Sequence, residues 1–142
     1  MKENNLITID GISGAGKGTL AKSLALELGY NILDSGNLYR LVGLISKRLS
    51  SESPEKIQEE LESFKLSMEL DNSKKIVEVL FGEENVTDEL RTEEIGLLAS
   101  KLAEVPSIRE ILKQTQRDYF DSRIGLVADG RDMGTVIFPQ AK

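Results

Sequence analysis

Residues 11 to 19 read Gly-Ile-Ser-Gly-Ala-Gly-Lys-Gly-Thr, the run in this 142-residue chain whose residue types and spacing most plainly call for a ligand. Gly11, Gly14, Gly16 and Gly18 allow successive backbone N–H groups to turn toward one centre and let an anion approach closely. Ile12, Ser13 and Ala15 stand between them, and Lys17 supplies a mobile point charge. The spacing is G-x-x-x-x-G-K, which suits a phosphate cradle at the start of a helix. The usual form has Ser or Thr directly after the Lys. Here Gly18 takes that place and Thr19 comes one later, so no metal ligand is assigned. Two other readings compete. The dinucleotide pattern G-x-G-x-x-G starts at Gly14 and Gly16 and has Asp34 about twenty residues on, but Thr19 replaces its last glycine. Alternatively the glycines only make a tight strand-to-helix turn.

Two further segments carry polar groups where apolar runs end. Asp34-Ser35-Gly36-Asn37-Leu38-Tyr39-Arg40 follows one such run, and Asp129-Gly130-Arg131-Asp132 follows another. Ser35 reads as a helix cap or a site residue, and Arg40 as a solvated charge or an anion contact. Arg131 can fork onto a phosphate, and Asp132 can accept from an amino group on a base. Asp129 reads either as the acid that holds Mg²⁺ through water or as a turn carboxylate. In open α/β sheets, ligands bind beyond the carboxyl ends of the strands, which would bring these segments and the glycine loop to one crevice.

The elements that must position them follow from patterning. Leu6–Asp10, Tyr30–Asp34 and Gly125–Asp129 are short apolar runs that predict buried parallel strands. Between the first two, Leu20, Leu24 and Leu28 mark a helical stripe, with Gly29 as its C-terminal cap. Leu38, Leu41, Val42 and Ile45 predict the apolar face of a second helix. Ser53-Pro54 opens a short charged helix. Lys65–Asp71 and Ile76–Phe81 alternate like strands joined through Asp71-Asn72-Ser73, and Gly82–Asn85 reads as a turn. Ile95, Leu98, Ala99 and Leu102 predict another helix, broken at Pro106. Ser107–Glu110 fits a capping box for a last helix carrying Ile111, Leu112, Thr115 and Tyr119. The order is that of an α/β fold with a parallel sheet and a small antiparallel insertion. Three parallel strands are few for such a sheet, and Ile137–Gln140 leads toward a further element, so a chain lacking its last strands is expected.

Composition narrows the chemistry. There is no Cys and no His, which excludes disulfides, thiol catalysis and imidazole proton shuttles. The net charge is −6, and residues 50–94 are the acidic stretch; the mid-chain acids, Glu93 and Glu94 among them, read as a solvated face. Non-specific nucleic-acid binding needs a basic face and is not expected. Met1–Asn5 is polar and is not expected to be a signal peptide, and no apolar run reaches the length of a membrane span.

With these residues in view, the chain resembles the bacterial cytidylate kinase (CMP/dCMP kinase) family, a group of phosphate-loop nucleoside monophosphate kinases. ITIDGISGAGKGTLAKSLA, LDSGNLYR, TEEIG…ASKLA…P…REILKQTQR and ADGRDMGTVIFP carry the resemblance in the family's order. GKGT is shared with other monophosphate kinases, whereas DSG-x-x-YR followed by DGRDMGT is narrower. The resemblance implies a three-layer α/β kinase fold, a single domain over 1–142 with residues 50–94 as the monophosphate-binding insertion, and a C-terminal truncation without the family's Arg-rich lid and last strands. It implies transfer of the ATP γ-phosphoryl group to CMP or dCMP with Mg²⁺, in the cytoplasm, by a monomer with no nucleic-acid or membrane partner. It casts Gly11, Ile12, Ser13, Gly14, Ala15, Gly16, Lys17, Gly18 and Thr19 as ATP-binding. Arg40 and Arg131 would hold the CMP phosphate, Ser100, Arg109 and Asp132 would read the cytosine, and Ser35 and Tyr39 would line the same pocket. Lys17 and Arg131 would be the catalytic cations. The alternatives are a nucleotide-binding fragment without catalysis and another phosphate-loop small-molecule kinase; a GTPase is disfavoured because no Asn-Lys-x-Asp motif occurs.

Overall fold

Leu6–Asp10 forms strand β1 and Lys17–Leu28 forms helix α1 in a computed structural model that describes residues 5–10, 17–70, 76–121 and 123–130, with 17–19 described by backbone alone. The chain continues as β2 (Asn31–Asp34), α2 (Ser35–Leu49), α3 (Pro54–Ser63), β3 (Leu66–Leu70), β4 (Val77–Phe81), β5 (Glu84–Asn85), α4 (Thr87–Leu90), α5 (Glu93–Leu102), α6 (Pro106–Tyr119) and β6 (Leu126–Gly130). It divides into two compact units. The first is Met1–Ser35, Met68–Val77 and Thr115–Lys142; the second is Gly36–Ser67 and Glu78–Gln114.

In the first unit β1, β6 and β2 form a parallel sheet in that order, as the apolar runs predict. β6 is the central strand, and all five of its residues are buried. A strand covered on both faces needs no polar alternation, which is why Leu126–Ala128 reads as a continuous apolar run. α1 packs against all three strands. The face it turns inward differs from the expected one. Ala21 and Ala25 are buried, while Leu20 and Leu28 are 51% and 45% exposed. Small residues let the helix lie close to the sheet, and the leucine stripe flanks that contact. Gly29 ends α1 with φ +70°, and the Tyr30 N–H donates to the Ala25 carbonyl at 3.0 Å. This is the six-to-one closure expected at a glycine C-terminal cap.

Also within this unit, the Met68 N–H donates to the Tyr119 hydroxyl at 2.8 Å, and that hydroxyl donates to the Met68 carbonyl at 3.4 Å. Burial pushes the Tyr119 phenol above its ordinary 10.0, with the Met68 hydrogen bond pulling weakly the other way. A folded value raised above the unfolded one contributes stability below pH 10 that is lost as pH climbs through the folded value. Thermal midpoints should therefore fall as pH rises past about 10, and Tyr119→Phe should make that fall shallower. An equal pH slope in the variant would exclude Tyr119 as its source.

In the second unit Leu38, Leu41, Val42 and Ile45 of α2 are fully or almost fully buried, as their spacing predicts. Each contributes roughly 1.5–3 kcal/mol by leaving water. Gly43 lets α2 approach α5 closely: a methyl group there would stand 3.1 Å from the Ile95 carbonyl oxygen and 3.2 Å from the Ala99 nitrogen. Ser53 caps α3 through the Lys56 N–H, with Pro54 in the first turn. Thr92 caps α5 through the Ile95 N–H.

Further sequence expectations change. α6 begins at Pro106, so Ser107 lies inside the helix and does not cap it. Of the expected Ile111, Leu112, Thr115 and Tyr119, Leu112 is fully buried and the other three are half-buried; Ile108 and Gln116 join Leu112 on the buried face. Gly82–Asn85 contains a two-residue strand, β5, antiparallel to β4, so the small sheet has the order β3-β4-β5. The expected turn at Asp71-Asn72-Ser73 lies outside the described residues. Among the described residues no helix is long and apolar enough to cross a membrane.

Candidate functional site

The carboxyl ends of the parallel strands gather acidic side chains. In the β2–β6 ladder Asp34 is the partner of Asp129, and in β1–β6 Asp10 is the partner of Gly130. In-register partners in a parallel sheet project from the same face, and neighbouring strands lie about 4.8 Å apart. Asp34 and Asp129 thus share one face of the sheet at its carboxyl edge, and Asp129 is 6% exposed. Among the described residues no group of three acidic, His or Cys residues can hold a metal ion. Ser35 follows directly, opens α2 and is buried. Lys17, Gly18 and Thr19 form the first turn of α1, whose unpaired N–H groups and macrodipole favour an anion. Gly11, Ile12, Ser13, Gly14, Ala15, Gly16, Arg131 and Asp132 lie outside the described residues.

The second unit holds the other candidates. Arg40 donates from Nη1 to the Leu90 carbonyl at 2.8 Å. That carbonyl ends α4, where a helix carries partial negative charge. The guanidinium also lies against Gly96 of α5: a methyl group there would stand 3.3 Å from Nη1 and 3.4 Å from Nη2. Ser100 is one helical turn beyond Gly96 on α5 and is exposed. Tyr39 precedes Arg40 on α2. Burial raises its phenol above the ordinary 10.0, and the nearby positive charge of Arg109 on α6 opposes that shift. So Tyr39 senses Arg109, and Arg40 sits on the face of α5 that leads to Ser100.

The cations of α2 fall into two kinds. Lys47 pairs with Glu94 at 2.7 Å, and Arg48 pairs with Glu84 at 2.8 Å and Glu89 at 2.9 Å. These pairs are solvated and worth little each, but they tie α2 to β5, α4 and α5. Arg40 is instead held by a carbonyl, which orients the guanidinium without neutralising it. Its remaining N–H groups can fork onto a phosphate. α4 is itself fixed at its start: the Thr87 hydroxyl accepts from the Val79 N–H at 2.9 Å and donates to Asn85 Oδ1 at 2.6 Å.

The family model described as cytidylate kinase matches residues 7–142, nearly the whole chain. The chain belongs to the cytidylate kinase family. Curated cytidylate kinases agree: that of Marinomonas sp. is 46% identical over the full chain, and that of Pasteurella multocida is 42% identical over the full chain. That of Colwellia psychrerythraea is 47% identical over 96% of it. The chain spans 63%, 62% and 60% of the lengths of these three cytidylate kinases, about three fifths.

Two features of this candidate site have little sequence signal. The seat of Arg40 is a backbone carbonyl and a glycine. Only Gly96, a glycine inside a helical pattern, hints at a close approach. The second is the environment of the Asp34 amide, whose N–H donates to Met68 Sδ at 3.3 Å.

Proposed function

We propose that this protein is a (d)CMP kinase that transfers the γ-phosphoryl group of ATP to CMP or dCMP in pyrimidine nucleotide metabolism. The observation that carries this reading is the family match across residues 7–142. The geometry of the second unit agrees with it, because a carbonyl orients Arg40 and, among the described residues, no carboxylate pairs with it. In this reading Gly11 to Thr19 hold the ATP phosphates, and Mg²⁺ accompanies them. Arg40 and Arg131 hold the CMP phosphate, Ser35 and Tyr39 line its pocket, and Ser100, Arg109 and Asp132 read the cytosine. Lys17 and Arg131 are the cations that act on the transferred group, and residues 50–94 are the monophosphate-binding insertion. The protein works as a cytoplasmic monomer.

No general base is needed. The nucleophile is a phosphate oxygen whose second pKa is about 6, so it is largely ionised at neutral pH. The absence of His is therefore no obstacle. The protein's part is to hold donor and acceptor in line and to offset the charge on both, through Lys17 at the donor and arginines at the acceptor. Mg²⁺, when bound with ATP, offsets charge on the donor phosphates.

The test is ADP release from ATP with CMP, dCMP, UMP or AMP as acceptor. CMP or dCMP should outpace AMP by more than about tenfold, since an unmatched base leaves polar groups unpaired. Equal rates with AMP and CMP would overturn the substrate. CMP binding by calorimetry without CDP formation would replace the kinase by a nucleotide-binding protein.

A further inference from the structure

Among the described strands of the parallel sheet, β2 stands at one side and pairs with β6. At its last residue the Asp34 N–H donates to Met68 Sδ at 3.3 Å. The Met68 side chain is 2% exposed. Its backbone is gripped on both polar groups by one phenol, through the Met68 N–H to Tyr119 at 2.8 Å and the Tyr119 hydroxyl to the Met68 carbonyl at 3.4 Å. All three residues belong to the first unit. A chain of contacts therefore runs from α6 through β3 to the end of β2. The next residue, Ser35, is buried and begins α2.

We propose that Met68 is a positioning residue for the acceptor site: its thioether fixes the Asp34 amide, and with it the turn from β2 into α2 at Ser35. The proposal rests on the reading above, in which Ser35 lines the CMP pocket. The direction in which the chain leaves a strand is set by the last one or two residue conformations, and a held N–H removes freedom at that point. Sulfur is a weak acceptor, so the contact steers more than it stabilises. Leucine has nearly the same volume and no acceptor, so Met68→Leu removes the contact and keeps the packing.

The experiment compares parent and Met68→Leu in two ways. Amide exchange reads the anchor: the Asp34 amide should exchange several-fold faster in the variant, with Val127 in the central strand unchanged. Calorimetry reads the consequence: the CMP dissociation constant should rise on the order of threefold, as for loss of one weak hydrogen bond. The ATP constant should stay the same, which a general loss of packing would not allow. Unchanged exchange at Asp34 would overturn the anchor. Faster exchange with unchanged CMP affinity would leave Met68 purely structural and overturn the positioning role. A parent that binds no CMP would sink the functional reading, and the acceptor role with it, while the Asp34 result would still report the contact separately. Tyr119→Phe, which releases the Met68 backbone, should shift both readouts the same way and serves if Met68→Leu does not fold.

Discussion

Arg40→Ala should weaken CMP binding by about a hundredfold, the loss of roughly two charge-assisted hydrogen bonds, and should leave ATP binding unchanged. Arg40 donates one N–H group to the Leu90 carbonyl and rests on Gly96, so its orientation is set before any ligand arrives. A preoriented guanidinium loses little freedom on binding, and its planar fork matches two phosphate oxygens at once. Arg40→Lys keeps the charge and loses the fork, and should recover only part of the affinity. Folding should weaken by about 1–3 kcal/mol, because the carbonyl of the buried Leu90 loses its donor, so binding is compared at temperatures where the variant is folded. Calorimetric titration with CMP, with ATP as the control, checks this. Undiminished CMP affinity in Arg40→Ala would remove Arg40 from the acceptor site.

Gly125→Ala should lower stability by roughly 3 kcal/mol, combining backbone strain of about 1–2 kcal/mol with overpacking of about 1–3 kcal/mol. Gly125 has φ +98°, where an L side chain is strained. A methyl group there would also come within 2.6 Å of Tyr30 Cδ1 and 2.7 Å of Cε1. The Gly125 backbone is held on both polar groups. The Gly125 N–H is held by the Asp121 carbonyl at 2.9 Å, and its carbonyl accepts from the Asn31 N–H at 3.1 Å. The midpoint of thermal unfolding should drop by about ten degrees, at some 2–4 °C per kcal/mol for a chain near this size. A midpoint within two degrees of the parent, roughly the shift of half a kcal/mol, would mean the ring and the turn relax freely.

Much of this fold is legible in the sequence, and the reasons differ by element. β1, β2 and β6 announce themselves because buried parallel strands tolerate uninterrupted apolar runs. α2 is legible because Leu38, Leu41, Val42 and Ile45 recur at helical spacing on one face. α1 misleads: spacing reveals the stripe at Leu20, Leu24 and Leu28, but cannot say that the sheet accepts the narrow side carrying Ala21 and Ala25. β5 has two residues, too few to show alternation, and it is a strand only because β4 lies beside it. The start of α6 was displaced by one capping pattern hiding another: Pro106 suits the first helical turn, so Ser107 is not needed as a cap. In the candidate site, the charged residues were visible as types. What orients them was not, because a carbonyl such as that of Leu90 is present at every position of every sequence. Met68 reads as an ordinary inward residue of an alternating strand, and nothing in the pattern says that its sulfur meets a particular amide.

The strand order β1-β6-β2 also fixes a schedule. The two strands at the start of the chain do not touch each other; each waits for Leu126–Gly130 to enter between them. On a ribosome adding about 5–20 residues per second, β1 and β2 emerge many seconds before the strand that joins them. Long separations of this kind slow folding, because the intervening chain must be closed into a loop before any pairing is gained. Over the same interval the helices of Gly36–Ser67 and Glu78–Gln114 can consolidate from shorter-range contacts. The second unit can therefore form before β1, β6 and β2 pair, and until Leu126–Gly130 arrives both early strands offer open edges to whatever chaperone or neighbouring chain is at hand.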